Sequence, residues 1–311
     1  MKKTIVILAA ALAVATASPK SRSFDATYVA TVSGIPAGTN QMKVWIPLPV
    51  SRGAQTVSDV AIDSPYKWQR YKDSEYGNEY AVATIANPSS DVVIKVNFKA
   101  TRHEETLDHP FETAASKAEI DRALRADKLV TLSPRVRQLA NEITAGKTST
   151  IDQAHAIYDY LVSNMTYDKT VPGWGHGDTE RACDIKKGNC TDFHSLFLSL
   201  ARAKGIPARF VIGFPLTAPD GQVKGYHCWA EFYVKGKGWI PVDASDASKL
   251  SDSNAKQYLF GNLDPNRVQF TVGRDLVLEP KTAEPLNFFI YPHAEANGAE
   301  IGSPSIALLY K

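Results

Sequence analysis

Residues 188–207 read GNCTDFHSLFLSLARAKGIP, and this stretch decides the fold class. Phe193, Leu196, Phe197, Leu200 and Ala203 recur at helical spacing, which predicts an amphipathic helix closed by Gly205 and Pro207. Its start falls at Gly188-Asn189-Cys190-Thr191, so Cys190 lies in the first turn. Three strand-like runs follow, at 209–214, 226–234 and 239–244, the last two joined by a glycine-rich turn at 235–238. One helix feeding an antiparallel sheet predicts α+β organisation rather than alternating βαβ units.

The position of Cys190 has chemical meaning. A thiol attacks carbonyls as thiolate, and an ordinary cysteine with a pKa of about 8.5 is mostly protonated at neutral pH. A helix N-terminus favours the thiolate, and its free N–H groups suit the oxyanion formed on attack. Such a nucleophile needs a base and a group that orients the base. His227 and Asp243, on the two strands of the following hairpin, are the candidates. They share a sheet face only if the connecting loop has an odd number of residues or a bulge intervenes, and Pro241 is a plausible bulge site. Asn189 and Asp192 border the nucleophile, and Tyr226 and Trp229 are expected to line the cleft.

Outward from this core the chain is conventional. Its 311 residues suggest about two domains, with 44% hydrophobic and 22% charged residues, a globular composition. Lys plus Arg number 35 against 33 for Asp plus Glu, so no strong field draws the chain to nucleic acid. Period-two runs at 26–32, 42–46, 57–62, 80–85 and 92–98 predict a small N-terminal β-sandwich over 18–103. Residues 104–311 then hold a helical lead-in, the helix-and-sheet core and C-terminal strands. In the lead-in we expect a helix over 114–126. A second helix is capped by Ser133 with Pro134 at N1, and a third opens on a Thr150–Gln153 capping box. The apolar run 287–291 reads as a strand.

Lys2 and Lys3, the apolar run from Ile5 to Val14, and Ala15-Thr16-Ala17 form a signal-peptide pattern over 1–17. The run is too short to span a bilayer, so we expect a periplasmic or secreted protein of bacterial type with no membrane anchor after cleavage. In an oxidising compartment a Cys183–Cys228 disulfide leaves Cys190 free. Cys228 alternates away from His227 along the strand, so it is expected to stand apart from the site. The spacing of His176, Cys183, Cys190 and His194 matches no usual zinc pattern, and no phosphate- or dinucleotide-binding loop is present. No metal or cofactor is expected.

Four segments taken in order resemble the bacterial branch of the transglutaminase-like superfamily: 188–197, 205–209, 225–231 and 238–243. The resemblance covers 129–278 and includes Gly261-Asn262-Leu263-Asp264 and Gly273-Arg274-Asp275-Leu276. It implies a papain-like α+β core in which Cys190 is the nucleophile, His227 the base and later the acid, and Asp243 the orienting group. The implied reaction is acyl transfer through a thioester, with hydrolysis favoured over cross-linking, on a peptide, protein or peptidoglycan-like substrate. Trp174 stands where a second oxyanion donor is implied. The chain departs from the animal enzymes in lacking their tandem C-terminal β-sandwiches and any EF-hand signature. The alternative is a catalytically silent fold that binds cell-wall polymer or a protein partner.

Overall fold

A computed structural model describes residues 20–88 and 91–311, and the predicted signal segment lies outside the described residues. The first six strands are β1 (Ser21–Ser33), β2 (Gln41–Leu48), β3 (Gln55–Asp63), β4 (Trp68–Lys72), β5 (Glu79–Ala86) and β6 (Val92–His103). Each of the five strands expected before residue 103 is present. The additional one, β4, lies at a sheet edge with its side chains exposed or half-buried, so it carries no alternating signal.

The middle of the chain is helical: α1 (Lys117–Leu124), α2 (Pro134–Ile143), α3 (Thr150–Asn164), β7 (Thr166–Tyr167), α4 (Thr179–Ile185), β8 (Lys187–Gly188) and α5 (Cys190–Ala203). Ser133 caps α2 with Pro134 at its first position, as the sequence suggests. Helix α3 corrects the Thr150–Gln153 box: Ser149 is the cap, its hydroxyl accepting from the Asp152 N–H at 3.0 Å. One residue separates the two readings, and both hydroxyls suit the role.

Helix α5 is not amphipathic in its surroundings. Every residue from Cys190 to Arg202 is buried. Its apolar side chains fill the core, each full burial of a large one contributing roughly 1.5–3 kcal/mol. Its polar residues meet internal partners: Ser199 donates to the Thr131 carbonyl, and Arg202 donates to Asp127 at 2.6 Å and to the Ala208 carbonyl. These pairings are what permit polar burial.

The remaining elements are β9 (Ala208–Pro215), β10 (Gly221–Val223), β11 (His227–Val234), β12 (Gly238–Val242), α6 (Ala244–Ala247), α7 (Ser253–Tyr258), β13 (Arg267–Val272), β14 (His293–Ala296), β15 (Ala299–Glu300) and β16 (Ser303–Tyr310). An antiparallel sheet ordered β12-β11-β9-β13 packs against α5. Two five-stranded sheets, β10-β16-β1-β6-β3 and β15-β14-β2-β5-β4, complete the main architecture. A boundary near 103 does not divide these sheets, because β10 and β14–β16 join strands from the start of the chain. Residues 287–291 form irregular backbone rather than a strand. Tyr28, Phe214 and Phe270 meet edge-on or tilted at centroid distances of 5.1 to 5.9 Å, joining β1 to the sheet behind α5.

Candidate active site

The start of α5 is held from both sides. The Asn189 side chain accepts from the Thr191 N–H at 2.9 Å, and the Asn189 N–H donates to Asp192 at 2.9 Å. Asp192 also accepts from the Gly175 and Gly177 N–H groups at 2.8 and 3.2 Å. A β-carbon at position 188 would stand 2.2 Å from the Asp192 carboxylate, which explains the glycine there. Asn189 and Asp192 are therefore buried scaffold for Cys190 and for the loop carrying Trp174. Tyr226 closes over this turn, its hydroxyl accepting from Asn189 at 3.0 Å and lying 2.9 Å from the Thr191 hydroxyl.

The hairpin has the odd loop that the site requires. Val234 pairs with Gly238, so residues 235–237 form a three-residue turn and His227 and Asp243 lie on one face. Pro241 stays in register opposite Glu231 on an edge strand, with no bulge. His227 Nε2 lies 2.6 Å from Asp243 Oδ2. That contact leaves Nδ1 free, and His227 is among the groups that lower the Cys190 thiol.

Asp243 has further donors. Arg267 Nη1 reaches Oδ2 at 3.0 Å, while the Ser245 hydroxyl and the Asp246 N–H reach Oδ1 at 3.2 and 3.1 Å. Burial opposes the carboxylate, but the charges and hydrogen bond of His227, then the charge of Arg267, hold it well below its usual range. Burial likewise opposes charge on His227. The carboxylates of Asp243 and Asp246 outweigh it and push the imidazole up to about 10. Burial would raise the Cys190 thiol, yet hydrogen bonds from Cys228 and His227 and the charge of His227 carry it well below an ordinary thiol. These opposite directions favour charge separation between Cys190 and His227 beside a buried carboxylate.

Cys228 corrects one expectation. It does alternate away from His227, but that face is covered by α5, so its thiol meets the turn that carries Cys190. It lies 3.7 Å from His194 Nδ1 and 3.9 Å from the Thr191 hydroxyl. Burial, then the neighbouring Cys190 thiol, pushes its own pKa well up. The expected Cys183–Cys228 disulfide is absent; both thiols are free, and Cys183 sits on α4 beside Arg135 and Glu180.

Trp229 also corrects the sequence reading. It is fully buried between Arg102 and Arg267, whose guanidinium carbons lie 5.6 and 5.3 Å from its ring, so it supports Arg267 rather than lining a cleft. Trp174 is 39% exposed, its ring flanked by Lys169 at 5.6 Å. Arg267, Asp246 and His194 complete the site's charge environment. No motif marks the first two, since their relevance arises from sheet register. His194 has a spacing signal, one helical turn beyond Cys190.

A cleft of about 530 Å³ opens beside His227, walled by 215–219, Asp246, Asp264 and Asn266. Arg22 of β1 pins this wall through the carbonyls of Leu216 and Pro219, at 3.0 and 2.7 Å. Cys190 itself is 1% exposed. Among the described residues His227, Asp243 and Asp246 place ligand-type atoms within 4.8 Å of one another. Asp243 Oδ2, however, already receives both His227 and Arg267. No described helix is long and apolar enough to cross a membrane.

Comparison with known proteins bears on the same segment. An uncharacterized protein of Haemophilus influenzae is 29% identical over 313 residues, covering 86% of this chain and 85% of that one. YebA of Bacillus subtilis, also uncharacterized, is 31% identical over 130 residues, or 36% of this chain and 17% of YebA. A candidate cysteine protease from Cytophaga hutchinsonii has a similar fold. Its TM-score is 0.62 at 14% identity, covering 94% of this chain and 99% of that one. The family model of the transglutaminase-like superfamily matches residues 137–244, a span that contains Cys190, His227 and Asp243. About a third of the chain, residues 137–244, thus resembles a transglutaminase-like superfamily domain.

Proposed function

We propose that the protein is an exported cysteine-dependent acyl-transfer enzyme, acting chiefly as a peptidase or amidase through a thioester on Cys190. The carrying observation is geometric: Cys190 opens helix α5, α5 packs on the strand of His227, and His227 Nε2 lies 2.6 Å from the buried Asp243 carboxylate, an arrangement that lowers the thiol and raises the imidazole. The Cys190 thiolate attacks the acyl carbon, and first-turn N–H groups receive the oxyanion. As the tetrahedral species collapses, His227 gives its proton to the departing amine and the thioester remains. Water or an amine then attacks the thioester, His227 takes its proton, and the product leaves as the thiolate re-forms. Asp243 keeps the imidazole oriented throughout.

The two sheets built around β1 and β2 form the sandwich-like partner of this domain, and β1 supports the cleft through Arg22. The Lys-rich, apolar and small-residue pattern of 1–17 supports export. A similarly folded protein named as a candidate cysteine protease accords with hydrolysis.

The test is a panel of peptide, glutamine-amide and peptidoglycan-stem substrates, with and without added amine, on wild type and Cys190→Ala. We expect product without amine and a loss of at least about 10⁴-fold in the variant. Product formed equally by Cys190→Ala would overturn the reading.

A further inference from the structure

The Gly273-Arg274-Asp275 segment just after β13 has no part in the chemistry above, yet its arginine is fully buried. Among the described residues no carboxylate lies within ion-pair distance of the Arg274 guanidinium; its acceptors are neutral. Nη1 donates to the Ser195 hydroxyl on α5, and Nη2 donates to the His176 carbonyl at 3.0 Å. Nε donates to the Asn287 carbonyl and side-chain oxygen at 2.8 and 2.9 Å, and Nη2 also reaches that side chain. Asn287 donates in turn to the His176 carbonyl at 2.9 Å. The guanidinium rests on Phe210, 5.2 Å from the ring centroid.

Burying a cation without a carboxylate is costly, so the arrangement demands a reason other than charge pairing. The three groups that Arg274 joins are the three parts of the site. Ser195 belongs to the nucleophile's helix. His176 belongs to the loop whose Gly175 and Gly177 are bound by Asp192 and which carries Trp174. Asn287 opens the segment whose Phe288 and Tyr291 pack on Tyr226, at 5.6 and 5.9 Å. The fit is close: a β-carbon at position 177 would stand 2.3 Å from Ser195 Oγ and 2.7 Å from Arg274 Nη1. Only a planar fork with several fixed donors spans all three, and a lysine cannot.

We propose that Arg274 is a positioning residue that holds the Trp174 loop and the Asn287–Tyr291 segment against helix α5, setting both segments in register with Cys190. This rests on the acyl-transfer reading of the site. A small alkylating agent needs the thiolate alone, whereas an acyl substrate also needs the segments that flank it, and misplacement of about 1 Å is enough to cost on the order of 10²-fold.

The test uses Arg274→Lys and Asn287→Ala in the full mature chain. Hydrogen exchange at the Gly175 and Gly177 amides should accelerate by about tenfold or more, while amides within α5 keep their protection. With a substrate from the panel above, kcat/KM should fall about 10²-fold, while iodoacetamide alkylation of Cys190 stays within about threefold of wild type. Unchanged exchange at both glycines overturns the proposal, as does alkylation falling in step with turnover. If Arg274→Lys does not fold, Asn287→Ala, which removes a half-buried side chain and leaves the arginine, decides alone. Failure of the acyl-transfer reading shows separately, as wild type without turnover or Cys190→Ala with it, and the exchange measurement still judges the positioning.

Discussion

Strands β6 and β9 are both long and antiparallel, yet they live in different solvents. Along β6 buried Val92, Ile94, Val96, Phe98 and Ala100 alternate with exposed Val93, Lys95, Asn97 and Lys99. Along β9 every residue from Ala208 to Phe214 is buried. One face of β6 meets water, while the sheet of β9 is covered by α5 on one side and by the aromatic joint to β1 on the other. A charge on β6 is therefore a solvated charge. A charge on the covered sheet must find a partner, and Asp243, Arg267, Arg209 and Glu231 do. The proposed chemistry sits where the protein has removed water, which is why its titrations move so far.

Mutations at matched depth test this contrast. The largest effect is expected for Asp243→Asn. It keeps the shape but loses the charge that selects the His227 tautomer, so turnover should fall about 10⁴-fold. It also leaves Arg267 buried without its closest carboxylate, so chemical denaturation should register a loss of about 3–5 kcal/mol. A stability close to wild type would mean that the covered sheet tolerates unpaired charge.

A smaller effect is expected for His227→Ala. With the imidazolium gone, the Cys190 thiol returns toward an ordinary pKa of about 8.5, and iodoacetamide alkylation at pH 7 should slow roughly 30-fold. In wild type the sign follows from the two shifts. The thiol is depressed, so alkylation stays fast through neutral pH and falls only in acid. His227 is raised to about 10, so turnover falls as pH rises through that value, when no proton remains for the leaving group, while alkylation persists. Parallel alkaline losses in the two rates would contradict the assignment of His227. The smallest effect belongs to β6: Lys99→Ala, removing an exposed pair with Asp59, should leave the thermal midpoint and turnover unchanged.

The same contrast explains what was readable in the amino-acid sequence. Alternation marks β6 because water contacts one face, and Asn189-Cys190 marks the start of α5 because a cap precedes a periodic run. The partnership of His227 with Asp243 was reduced to a parity question, and the three-residue loop answers it. Arg267, Asp246 and Cys228 were not legible as site residues, because their contacts come from strand register and from the helix laid over the sheet. An amphipathic α5 implies a polar face; Ser195, Ser199 and Arg202 instead bind buried backbone and side chains. Trp229 looked like a cleft residue for the converse reason, since large aromatics suit cores and clefts alike. Strands β14 to β16 gave no sign that they pair with β1 and β2, as that pairing is non-local.

Strand β1 lies between β6 and β16, with Ala26 opposite Phe98 on one side and Tyr310 on the other. The second pairing encloses the seven helices of the described residues and the Cys190 site in a single loop of chain. Closing such a loop carries a large entropy cost before any contact rewards it, so high contact order makes it a late event in folding. Helix α5 and its hairpin are local and form without it. Tyr291 and Phe288 lie on the segment leading into β14–β16, so they reach Tyr226 as that closure is made. Refolding is therefore expected to form the turn of Cys190 before Phe288 and Tyr291 reach Tyr226, so any activity that needs that segment should return with the slow step.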